Sequence, residues 1–170
     1  MHIIRTIQYS IDTLTDISGR LLLWLTLLMM AVVCIVVTLR YVFQIGSIGL
    51  QEFAIYLHGS VFMLGAAYTL KENAHVRVDI FYRNFSKRGQ AWINSLGGII
   101  FLLPLCVYIF VISWAFVAQS WEILEVSPEP GGIPAVFLLK TLIPGLAISL
   151  GLQAVAEILR NALILIEEDE

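Results

Sequence analysis

Three histidines, two carboxylates at the margins of long apolar runs, and one loop of alternating ionic residues carry the chemistry open to this chain. Paired histidines on facing helices of a membrane bundle ligate haem iron or a transition metal. Of His2, His58 and His75, however, only His58 falls inside an apolar run. A bis-histidine site at membrane depth needs a second ring, so His58 is assigned to hydrogen bonding with a neighbouring helix or a partner chain. Glu52 and Glu157 stand at run ends, where an interfacial carboxylate is ordinary, whereas a solute or ion pathway needs ionisable groups at depth and usually internal repeats. No Gly-rich phosphate loop, HExxH or CxxC pair occurs, and no Ser, His and Asp set assembles on one side of a membrane. The chain is therefore not read as an enzyme, and no cofactor or metal is assigned to it.

The stretch LKENAHVRVDIFYRNFSKR, Leu70 to Arg88, holds five of the ten Lys and Arg residues, with His75, Arg77 and Asp79 at alternate positions. Val78, Phe81, Tyr82 and Phe85 share one helical face, which predicts a short surface helix. Attraction to anionic lipid headgroups accounts for Lys87 and Arg88. It does not account for Asp79 among them, which points to specific pairing within the loop or with another subunit.

The elements that hold these groups follow from composition. At 59% hydrophobic and 14% charged residues, the 170-residue chain is too apolar for a soluble domain, and no basic footprint for nucleic acid exists. A crossing takes roughly 20 apolar residues. The expected fold is an all-α membrane protein, a single four-helix domain over 1–170, with spans at about 21–40, 53–70, 91–121 and 137–160. Before the first span, Ile4, Ile7, Ile11, Leu14 and Ile17 recur at helical spacing with Arg5, Gln8, Asp12 and Asp16 between them, predicting an amphipathic interfacial helix over 1–20. Pro104 is expected to kink the long third run, and Trp92 and Trp121 to mark its interfaces. Cys34 and Cys106, each within an apolar run, are read as small, buried and reduced. Small residues (Gly65 to Ala67, Gly145 with Ser149, Ala147 with Gly151) allow other helices to come close. Lys and Arg concentrate in the N-terminal segment, the middle loop and the tail, so the positive-inside rule puts both termini in the cytoplasm and the loop from Glu122 to Lys140 outside.

Two stretches resemble one family. An acidic residue opening the second span, followed by FMLGAAYTLKENAHVRVD, and later GGIPAVFLLKTLIPGLAISLGLQAVAEILR, are similar to the DctQ-type small membrane subunit of tripartite ATP-independent periplasmic (TRAP) transporters. The family often carries a Trp in the middle of the second span, where this chain reads YLHGSVF. The resemblance implies a multi-pass protein of a bacterial inner membrane, working with a large permease subunit and a periplasmic substrate-binding protein in sodium-coupled import of carboxylate-type solutes. It implies a scaffolding role for this chain, with the ion and substrate sites on the large subunit. Matching positions make Glu52, His75, Arg77, Asp79, Lys140, Gln153 and Glu157 the polar residues of the family pattern. Lys140 and Glu129 are then expected to touch the binding protein, and Arg77 and Asp79 to pair with the large subunit or order the loop. The alternative from another class is a membrane anchor subunit of a redox complex.

Overall fold

The computed structural model describes residues 2–76 and 82–167. Among the described residues five α-helices make four crossings: α1 (His2–Tyr41), α2 (Ile48–Lys71), α3 (Lys87–Gly97) running through a π-helical turn at Gly98–Leu102 into α4 (Leu103–Glu122), and α5 (Val136–Glu167). All four crossings are long and apolar enough to span a membrane. No strand occurs among the described residues. The start of α1 and the end of α5 lie at the same end of the bundle, called here the terminal end, with the 42–47 and 123–135 loops at the opposite, loop end.

The amphipathic segment expected before the first span is helical and joins that span without a break, giving one helix of 40 residues, about 60 Å long. No proline separates the two parts, and Asp12, Thr15 and Asp16 face α5 and α2. α5 is the hub, packing on α1, α2, α3 and α4, while α1 and α2 also pack on each other. The third crossing departs from α geometry where Pro104 requires it. A prolyl ring clashes with the carbonyl four residues back. The widened turn just before it, in which Leu103 N–H donates to Gly98 O, relaxes that conflict.

Close approaches rely on small residues. A Cβ on Gly19 would collide with the Tyr68 ring, so α1 and α2 touch there only because the position is glycine. Gly145 faces Leu64, and Gly151 faces Cys106. The helices admitted by these small residues are thus the chain's own. Cys106 is buried as expected, whereas Cys34 is exposed, because its position on α1 faces away from the other helices. Trp92 and Trp121 are both exposed at opposite ends of the third crossing, and Trp121 Nε1 donates to Thr141 Oγ1 at 2.9 Å. In the basic loop a single 3-10 turn, Tyr82–Asn84, precedes α3. Val78 and Phe81, the other part of the expected surface helix, lie outside the described residues.

Candidate functional site: polar clamps at the two ends of the bundle

Apolar helices in lipid gain little from hydrophobic burial against one another, so hydrogen bonds and close packing determine which helices stay together. Among the described residues, the side-chain hydrogen bonds and ion pairs that join different helices, or a helix to the 123–135 loop, gather in two clusters, one at each end of the bundle.

At the terminal end Gln153 of α5 is completely buried. Its Oε1 accepts from the Thr15 hydroxyl at 2.7 Å and its Nε2 donates to Asp12 Oδ1 at 3.1 Å. Asp12 also receives both of its oxygens' share of Arg160, whose Nη2 lies 3.0 and 2.9 Å from Oδ1 and Oδ2. Arg160 Nη1 donates to Glu157, one turn earlier on the same helix. Two turns of α5 therefore present the Gln153 amide and the Arg160 guanidinium to one face of α1, with the Glu157 carboxylate on the guanidinium, and the charge-assisted bonds among them are stronger than neutral ones. Asn161 extends the cluster: its Nδ2 donates to the Glu157 carbonyl at 2.7 Å, and its Oδ1 accepts from Asn94 of α3 at 3.4 Å. Asn94 also donates to the Tyr82 hydroxyl at 2.8 Å. Beside this network Lys71, the last residue of α2, pairs with Asp16.

At the loop end two carboxylates organise the 123–135 connection. Helix α4 ends on Leu124 in the left-handed region (φ 46°), and Glu125 N–H donates back to Ser120 O at 3.0 Å. That reversal brings the Glu125 carboxylate onto the Ser120 hydroxyl at 2.6 Å and onto Lys140 of α5. Both partners hold the Glu125 carboxyl below its ordinary value, Lys140 first and Ser120 second. Lys140 also lies over the Phe116 ring, 4.0 Å from its centroid. Glu52, one turn into α2, accepts from the Ser127 hydroxyl and from Ile133 N–H at 2.6 Å. Gly132 makes this possible, since a Cβ there would run into Ser127 and Glu52 Oε1.

Glu52, Lys140, Gln153 and Glu157 thus sit in these clamps. Lys140, expected to reach a binding protein, is engaged within the chain. Glu129 is exposed at the tip of the loop, where its backbone joins Ser127 and Gly132. His75 follows a second left-handed helix end, Asn73 (φ 53°), which turns its Nε2 to within 3.2 Å of the Ala66 carbonyl. His58 joins neither clamp and stacks on Phe62 at 6.3 Å, on the outside of α2. Arg77 and Asp79 lie outside the described residues.

Asp12, Thr15, Asp16, Glu125, Arg160, Asn94 and Asn161 were not anticipated as site residues. The available signal was depth. Asp12 and Asp16 are one turn apart on α1, at the level where Lys71 closes α2 and Arg160 nears the end of α5. The clamps fix helices; they do not assemble an acid, a base and a nucleophile. Among the described residues no group of three His, Cys, Asp or Glu side chains stands close enough to hold a metal ion.

Residues 29–163 match a family model described as "Tripartite ATP-independent periplasmic transporters, DctQ component". No curated protein and no solved structure matches the chain.

Proposed function

Because the chain belongs to the DctQ component family of tripartite ATP-independent periplasmic transporters, we infer that it is the small membrane subunit bracing the large permease of a solute importer. The family match over residues 29–163 carries this reading. The clamps support it: alternating access needs a part that stays in place while another moves, and a bundle tied at both ends by part-buried hydrogen bonds and ion pairs supplies a fixed frame. On this reading the chain sits in a bacterial inner membrane with its terminal end in the cytoplasm, as the Lys and Arg of the middle loop favour. A periplasmic binding protein delivers the solute to the loop end, where Glu129 is available to touch it. Transport is coupled to sodium and the solute carries a carboxylate. Arg77 and Asp79 pair with the large subunit or order the loop. A redox anchor gains nothing from the geometry, since His58 turns out of the bundle and His75 is directed at a backbone carbonyl.

The test is solute uptake into proteoliposomes containing the large permease, with its binding protein outside, in the presence and absence of this chain and of an inward sodium gradient. Uptake that requires the chain and the gradient supports the reading. Uptake indifferent to the chain refutes it.

A further inference from the structure

Helix α2 has two occupied sides. Gly19 and Leu22 of α1 meet Tyr68 and Gly65, while Leu139, Leu142 and Gly145 of α5 meet Gly59 and Leu64. The third side carries Gln51, Ile55, His58 and Phe62, spaced four, three and four residues apart, as in the seam of a left-handed helix pair. Ile55 and Phe62 are 57% and 73% exposed, and His58 is exposed between them. Among the described residues the one aromatic ring paired with His58 is Phe62, and the imidazole nitrogens reach no hydrogen-bond partner.

Depth makes that position hard to leave to lipid. His58 is six residues from Glu52 and thirteen from Lys71, so it lies about 9 Å inside one clamp level and about 20 Å from the other. An imidazole is too short to return its N–H to the interface over 9 Å, as a Lys or Arg stem does. Acyl chains offer it no acceptor, and polar side chains at depth normally face protein. α2 is also the least apolar of the four crossings, which suits it poorly for open contact with hydrocarbon.

We propose that the Gln51–Ile55–His58–Phe62 face of α2 is the seat of the large permease subunit, which contributes a transmembrane helix bearing a hydrogen-bonding side chain opposite His58. This rests on the tripartite reading above, which supplies a partner inside the membrane. A lipid would leave the imidazole unsatisfied, and the two neighbouring helices of the chain already lie on the other sides.

The experiment is co-purification of the large permease with the tagged chain in mild detergent, with the membrane level of each variant measured alongside. His58→Leu makes α2 more apolar and is expected to insert as well as wild type, yet to retain about three- to tenfold less permease. His58→Gln keeps a hydrogen-bonding group and is expected to retain most of it. Ile55→Trp, which adds bulk at the seam, is expected to lose it, while Val111→Trp on the exposed face of α4 has no effect. If wild type retains the permease and His58→Leu and Ile55→Trp retain it equally, the face is wrong and the tripartite reading stands. Loss with Val111→Trp alone places the permease on α4 and also overturns the proposal. If wild type retains none, both fall.

Discussion

Replacing Gln153 by Leu tests whether the terminal clamp holds the bundle together. The side chains are close in volume, so the change opens no sizeable cavity and isolates the polar contribution. Two hydrogen bonds disappear, from the Thr15 hydroxyl at 2.7 Å and to Asp12 Oδ1 at 3.1 Å. Asp12 keeps Arg160 on both oxygens, but Thr15, only 6% exposed, loses its acceptor on Gln153. Stranding a buried polar group costs about 1–3 kcal/mol, and the Asp12 bond adds about 1 kcal/mol. The expected loss is thus about 2–4 kcal/mol, which for a chain of this size lowers Tm by roughly 4–16 °C. Thermal unfolding of the purified chain in detergent, followed by tryptophan fluorescence, reads it directly. The double variant Thr15→Val, Gln153→Leu removes both partners of the shorter bond and leaves neither stranded, so it is expected to recover about half of the loss. A Tm for Gln153→Leu within about a degree of wild type, or a double variant less stable than the single one, refutes the reasoning.

Three further outcomes follow from the clamps. The folded Glu125 carboxyl is held below its ordinary value of 4.5, so its stabilisation is complete above that value and is lost as pH falls through the lower folded one; a Tm series in acid should show this slope for wild type and a shallower one for Glu125→Gln. Gly132→Ala places a methyl group against Ser127 and Glu52, and is expected to lower stability by about 1–3 kcal/mol and to open the 123–135 loop to protease, read by limited proteolysis. Leu124 is 58% exposed and left-handed, so Leu124→Gly relieves backbone strain at little cost in burial and should stabilise by up to about 1 kcal/mol, measured by the same thermal assay.

The first three crossings were legible because each is an uncharged run with ionic residues at its limits, as with Arg20 and Arg40 or Glu52 and Lys71, and the fourth because its ionic residues, Lys140, Glu157 and Arg160, stand near its ends. Gln153 and Glu157 were singled out through a family pattern, whereas their partners were not. Asp12 and Asp16 alternate with isoleucines in a way that reads equally well as the wet face of an interfacial helix. Periodicity gives a face but not what covers it. Their true neighbours are more than fifty residues away in the chain, on α5 and at the end of α2. Glu125 was hidden for a different reason: its position depends on a leucine in the left-handed region, a conformation for which leucine gives no local signal. The π-helical turn before Pro104 is the intermediate case, since the proline announces a distortion without specifying its form.

The Asp12–Arg160 bond joins residues 148 positions apart. During synthesis the residues of α1 therefore enter the membrane long before their partners exist. Asp16 finds Lys71 once the second crossing is made, but Asp12 and Thr15 wait for Gln153 and Arg160 of the last. Until α5 arrives, the beginning of the chain carries a carboxylate whose partners have not yet been made, a state chemically different from the finished bundle. Completion of the fourth crossing is thereby coupled to the chemistry of the first, and a chain halted after α4 carries a mark of being unfinished at its very start.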